Sequence, residues 1–365
     1  MEILDPYAHE PLACPPLPAF DPSFGAGDVY EGTDITELDD YLRATGVWDA
    51  MDYGVGLHLP ATHELYAAAV RAHALPAATP LPSPPPASSS YDGGAAATLD
   101  AYDSDIDASL RATERDARER PSPDYLDNGG GIDPLGRAAL VAWMSGLAGH
   151  FGIDDAALHR AVSYLDRFLS SAAATTPVAD LDYRLRVVAA AAVYAAAKLE
   201  DSAFSRRVNA GDIAASCGFA ASKEVLDAER ALLAALGYRL GGPTAHTFVE
   251  HFTRRGCGGG GELELVRSAA QAFAGASLLD HRCCLGLLPS AVAAAAILLV
   301  RMSLAPAPHG REQLRRWGAE LEEMTGYRPA DVYEAVESMY MLMPVDPGFG
   351  ISPLLFADLS YSLRS

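Results

Sequence analysis

Two alanine-rich runs, residues 187–197 and 291–300, constrain this chain more than any other feature. The first is eleven consecutive apolar residues, seven of them alanine before Lys198, and the second ends in Ile297-Leu298-Leu299-Val300. Neither is long enough to cross a bilayer, which takes about 20 residues as a helix. A helix that is apolar on every side belongs inside a bundle, and alanine lets its neighbours approach closely. Around the first run, helical periodicity predicts helices at 134–151, 155–170, 183–198, 212–216 and 222–236. Around the second it predicts 243–254, 262–279, 287–302, 312–324 and 329–342. No strand pattern competes. The chain therefore reads as all-α, two tandem arrays of five helices, each built on a small-residue central helix.

Charged residues interrupt these apolar faces in two places. Leu140, Met144, Leu147 and Phe151 form one stripe that Arg137 shares, and Leu158, Val162, Leu165 and Leu169 form another bordered by Asp166. A charge facing a core is costly unless paired, so the spacing predicts a structural Arg137–Asp166 ion pair between packed helices. Glu229 likewise interrupts the face of Val225, Leu226, Leu232, Leu233 and Leu236, and Lys198 closes the first central helix. One alternative role for Lys198 is local, a cation at a helix carboxyl end beside Glu200 and Asp201.

The formal net charge of −21 is uneven. Residues 1–134 carry 24 acidic and 6 basic side chains, hence −18, and the remainder carries 24 and 21, hence −3. That balance argues against nucleic-acid binding through a basic surface. Residues 1–104 include a Pro/Ser/Ala tract at 76–90 and are expected to be mostly disordered, with one marginal amphipathic island at 34–49. Residues 105–133 are read as a polar helix over 105–118 and a connector, 134–241 and 242–343 as the two repeats, and 344–365 as a tail. The amino terminus lacks the pattern of a signal peptide, and five cysteines without CxxC spacing are expected to be free thiols. His281 beside Cys283 and Cys284 lacks a second ligand cluster, so no metal is expected. No Ser/His/Asp or phosphate-loop constellation stands out, and neither enzyme chemistry nor a cofactor is expected.

Six motifs, in order, resemble the cyclin box. Asp105-Ile106-Asp107-Ala108-Ser109-Leu110-Arg111 is similar to the helix before it. Arg137-Ala138-Ala139-Leu140-Val141-Ala142-Trp143-Met144 resembles its opening. Val162-Ser163-Tyr164-Leu165-Asp166-Arg167-Phe168-Leu169-Ser170 resembles its second helix, and Ala197-Lys198-Leu199-Glu200-Asp201 the end of its third. Glu229 stands in a fifth-helix motif, and Gly241-Gly242-Pro243-Thr244 resembles the linker to a second box. The flavour, with Pro121-Ser122-Pro123-Asp124-Tyr125-Leu126, is most like plant F-type cyclins. The resemblance implies a non-enzymatic regulatory subunit of a cyclin-dependent protein kinase, forming a heterodimer with it in the nucleus, the cytoplasm or both. It implies that Lys198 and Glu229 bond kinase backbone groups, and that Leu199, Leu233, Tyr238 and Leu240 form the apolar contact.

The sequence also departs from that family. Gly136, Ala139, Ala142 and Gly146 stand where larger or acidic groove residues are common, while Leu140, Trp143 and Leu185 remain, and Arg186 replaces a neutral amide. This degenerate groove is expected to disfavour basic Arg-x-Leu docking peptides. The other reading is a cyclin-fold interaction module that binds a protein or DNA without a kinase.

Overall fold

The computed structural model describes residues 93–127, 132–171, 181–255, 260–304 and 311–341. The disordered region expected up to residue 104 lies outside them as far as residue 92, as do residues 172–180 and 256–259 and the expected tail at 344–365. Among the described residues every regular element is helical. None of these helices is long and apolar enough to cross a membrane. The chain divides into two compact units: Pro121–Leu240 forms the described part of the first, and Gly241 onward, joined by the stretch ending at Arg120, forms the second.

The leading helix α1 spans Gly93–Glu114. It starts at Gly93, not at Asp105 as the sequence pattern predicts, because Ala95, Ala96 and Ala97 are strong helix formers. It ends at Glu114, and a 3-10 turn capped by Asp116 follows at Ala117–Glu119.

In the first unit, α2 (Pro134–His150) opens with proline at its first turn and is capped by Asp133, whose carboxylate accepts from Gly136 N. Asp154 caps α3 (Asp155–Leu169) in the same way through Ala156 N. The central helix α4 is Leu181–Glu200. A short turn of helix at Phe204–Arg207 precedes α5 (Ala210–Cys217), which Asn209 and Asp212 open with a reciprocal capping box. Helix α6 spans Ser222–Ala235. Helix α4 packs against α2, α3, α5 and α6, and all of Ala189 to Ala192 is fully buried.

The second unit repeats the plan with α7 (Ala245–Arg255), α8 (Gly260–Ala276), the central α9 (Pro289–Leu304), α10 (Arg311–Thr325) and α11 (Tyr333–Met341). Helix α9 packs against α7, α8, α10 and α11, with Ala293 to Ala296 fully buried. The expected helix 262–279 stops at Ala276, and a 3-10 turn (Ser277–Leu279) and a π-helical turn (Arg282–Gly286) take the chain to α9.

Helix α1 belongs to this second unit, and its polar side is its docking side. Asp107, Arg111 and Glu114 share one face at helical spacing. Glu114, 2% exposed, accepts from Ser290 N at 3.0 Å and Ser290 Oγ at 2.7 Å, so it caps the start of α9. Arg111 lies between the rings of Phe252 and Tyr327 at 5.5 and 5.4 Å and donates to the Thr325 carbonyl. Asp107 accepts from Arg111 Nε at 2.8 Å and pairs with His251 Nε2 at 3.1 Å.

The alanine faces leave no room for growth. Ala191→Leu in α4 or Ala294→Leu in α9 should each destabilise its unit by about 1–3 kcal/mol through overpacking. Chemical denaturation monitored by far-UV circular dichroism checks this; no shift in midpoint would mean that the surrounding helices do not close on alanine.

Candidate partner-binding site

The most buried ion pair sets the geometry of the first unit. Arg137 on α2 donates from Nε to Asp166 Oδ1 at 2.8 Å and from Nη2 to Oδ2 at 2.7 Å, and the side chains are 0% and 1% exposed. The bidentate fork satisfies both oxygens in one plane. A third member comes from the connector: Tyr125 OH donates to Asp166 Oδ1 at 2.8 Å from a buried position. Burial pushes the Tyr125 phenol far above its ordinary pKa, and the neighbouring Asp166 charge acts in the same sense. Sequence reasoning missed Tyr125; its signal was an aromatic in an otherwise polar, proline-flanked segment.

Lys198, in the last turn of α4, has its Nζ against Glu229 Oε1 of α6 and 4.2 Å from the Tyr194 ring centroid. Its side chain is 30% exposed and that of Glu229 10%, so the pair sits at the rim of the core. Two large apolar residues near the ends of the same helices face solvent: Leu199, next to Lys198, is 49% exposed, and Tyr238, just past the end of α6, 73%. Leu233 and Leu240 are half-buried. Tyr238 has φ of 59°, among the described residues the one non-glycine with positive φ. It follows Gly237, also left-handed at 58°, and its N–H donates to the Leu233 carbonyl at 2.9 Å, closing α6. A left-handed conformation costs a residue with a Cβ about 1–2 kcal/mol, so the surroundings must hold it there.

Helix α3 supplies that hold. Arg167 Nη1 donates to the Arg239 carbonyl at 2.9 Å, and the Leu240 carbonyl accepts from Arg160 Nη1 at 2.9 Å and Tyr164 OH at 2.8 Å. Burial pushes the Tyr164 phenol up to about 12, keeping it a donor. Arg160 also pairs with Glu200 at the end of α4, which ties the Leu199 side of the patch to the Leu240 side. Residues 160, 164 and 167 share one face of α3, a pattern visible in the sequence but without a target there.

The groove residues are placed differently. Leu140 and Trp143 are 2% and 7% exposed, and Leu185 is half-buried. Arg186 Nη2 lies 3.4 Å from Asp182 Oδ2, one turn back on α4. Burial raises the Asp182 carboxyl pKa, offset in part by Arg186. Asp182 is a carboxylate that sequence reasoning did not count beside this cation. In the second unit, Cys283 Sγ donates to Ser338 Oγ at 3.3 Å, and burial pushes its thiol well above the ordinary range. Asp280, 0% exposed, accepts from Arg282 Nη2 at 3.1 Å and from Ser338; burial works against its charge, but these bonds hold its pKa below the ordinary value.

Tandem five-helix units, each built around a small-residue central helix, define an all-helical repeat protein. A cyclin N-terminal domain matches residues 105–241 and a cyclin C-terminal domain residues 243–348. The chain belongs to the cyclin family. It is 48% identical over 238 residues to the putative cyclin-F2-1 of Oryza sativa subsp. japonica, a match covering 64% of this chain and 58% of that protein. It is 32% identical over 244 residues to cyclin-A3-3 of Arabidopsis thaliana, covering 65% and 69%. The chain thus spans less than two thirds of the length of the F-type relative. An X-ray structure of a viral cyclin from herpesvirus saimiri aligns with a TM-score of 0.47 and 19% identity, over 60% of this chain and 88% of that one.

Removing one member of the buried pair strands the other. Arg137→Ala or Asp166→Ala should each cost about 3–5 kcal/mol in equilibrium unfolding. Tyr125→Phe, which leaves the ion pair intact, should cost only about 0.5–1.5 kcal/mol. Equal losses in all three would mean that Tyr125 does more than donate one bond.

Proposed function

We propose that this chain is the regulatory subunit of a cyclin-dependent protein kinase, binding it as a heterodimer in the nucleus or cytoplasm and so regulating cell-cycle progression. A cyclin does no chemistry on this reading. It contributes binding free energy to one of two kinase conformations, the one in which the catalytic lysine and glutamate pair. The observation that carries the reading is the exposure of Leu199, next to Lys198 at the end of α4, and of Tyr238, just past the end of the α6 that carries Glu229. A monomeric protein gains nothing from holding an exposed tyrosine in a strained backbone conformation, whereas a partner helix packed on it does. Leu233 and Leu240 extend the apolar contact, and Lys198 and Glu229 fix its register by charge-assisted bonds to kinase backbone groups.

The reading separates binding from stability. Tyr238→Gly relieves the backbone strain and should leave the chain as stable or about 1 kcal/mol more stable, while weakening kinase binding. Lys198→Ala and Glu229→Ala should each lower kinase affinity by roughly ten- to a hundredfold, the equivalent of about 1.5–3 kcal/mol per lost bond. Co-purification and titration with the isolated kinase measure this, alongside melting curves. A stable Lys198→Ala, Glu229→Ala double variant that still activated the kinase would sink the mechanism.

For the groove at Leu140, Trp143, Leu185 and Arg186, we propose weak or absent binding of Arg-x-Leu peptides. Arg186 repels the peptide arginine, and Asp182 already has a cation beside it. Submicromolar affinity in a fluorescence-polarisation titration would contradict this.

A further inference from the structure

The connector at 121–127 carries a feature that kinase binding does not use. Ser122 lies between Pro121 and Pro123, and among the described residues it is the one serine or threonine followed by proline. Proline after it biases its backbone to an extended conformation, and no helix encloses it. Its side chain is half-exposed, its hydroxyl donating only to the exposed Asp124 Oδ1 at 3.1 Å. Its N–H donates to Ser170 Oγ at 2.9 Å, and that hydroxyl in turn donates to the Asp166 carbonyl at 2.7 Å. Ser170 is the carboxyl cap of α3, so the connector is tied to the negative end of a helix. Three residues on, Tyr125 reaches Asp166 itself.

We propose that Ser122 is a phosphorylation site for a proline-directed serine/threonine protein kinase, and that the phosphate loosens the 121–127 connector from α3. Ser122 Oγ attacks the γ-phosphorus of ATP, its proton passes to the kinase's base, and the bond to the leaving ADP oxygen breaks. The product carries about 1.5–2 negative charges beside the Asp124 carboxylate and the carboxyl end of α3, two placements that disfavour it. The repulsion acts on the segment that brings Tyr125 to the Arg137–Asp166 pair, so a surface modification reaches the most buried charges of the unit. The proposal stands apart from the cyclin-dependent kinase reading, since it concerns which side chain accepts phosphate and what then moves.

The test uses the full chain, Mg-ATP and a recombinant mitogen-activated protein kinase, a proline-directed enzyme, with a Ser-Pro peptide as the control for kinase activity. Mass spectrometry should find phosphate on Ser122, absent from Ser122→Ala and from Pro123→Ala. Ser122→Ala keeps the N–H that bonds Ser170, so it folds. With the control peptide labelled, no phosphate on Ser122 overturns the site. Once Ser122 is phosphorylated, amide hydrogen exchange over 121–127 should quicken by about tenfold, and by less in Asp124→Asn. Unchanged exchange in the phosphorylated chain overturns the release.

Discussion

A helix with alanine on most of its faces offers little apolar area per residue, so its neighbours must come close enough to pack on one another across it. That requirement organises both units. In α4 and α9 the buried alanines set the helix spacing, and many of the larger interior residues come from the surrounding elements: Leu140, Met144 and Leu165 in one unit, and in the other Phe248, Phe252 and Trp317, which join Ile297, Leu299 and Met302 of α9 itself. Close packing of this kind tolerates deletion better than insertion, because a small residue has nothing to lose and no room to gain. It also explains why two sequences with little in common can repeat one architecture. What repeats is the narrow, apolar central helix.

A tightly closed interior makes the buried charges harder to rationalise by stability alone. Desolvating Arg137 and Asp166 costs several kcal/mol per ion, and a pair of well-fitted apolar side chains in their place could be as stable. What the pair adds is direction. A guanidinium fork and a carboxylate fit in one plane and one register, so α2 and α3 can meet in only one way. Tyr125 extends this to the connector, and Glu114 with Ser290 does the same for α1 and α9 in the second unit. In each unit an element outside the five-helix array is fastened by a hydrogen bond to a buried acid.

The helical arrays and both charged pairs were legible in the sequence because each rests on a short-range regularity: periodicity, a cap, or a charge on an apolar face. The start of α1 is hidden in the sequence because Gly93 and the alanines after it adjoin a tract whose composition points to disorder, so composition and local propensity disagree there. The docking face of α1 was hidden for a different reason. Asp107, Arg111 and Glu114 look like a solvated stripe until His251, Thr325 and Ser290, far along the chain, are brought to meet them. The same holds for Arg160, Tyr164 and Arg167, whose targets are backbone carbonyls. A carbonyl leaves no mark in a sequence. Nor does the left-handed backbone of Tyr238, where an aromatic residue takes a conformation that Gly237 beside it adopts freely.

That geometry also bears on how a partner could be held. Lys198 and Glu229 already satisfy each other in the free chain, with Tyr194 beneath the ammonium. A partner that bonds to either one exchanges a bond and does not simply add one, so the net gain of making the bond is smaller than the loss on truncating one residue, which leaves the other charge unpaired under the partner. The apolar neighbours differ. Leu199 and Tyr238 are exposed in the free chain, and covering them removes apolar surface from water at about 25 cal/mol per Å2 with no competing interaction to break. The strain at Tyr238 is met before binding, by the α3 side chains that grip the Arg239 and Leu240 carbonyls, so its backbone needs no further ordering on contact. On the proposed reading, affinity comes mainly from the exposed tyrosine and leucine, and the lysine and glutamate decide which surface is allowed to sit on them.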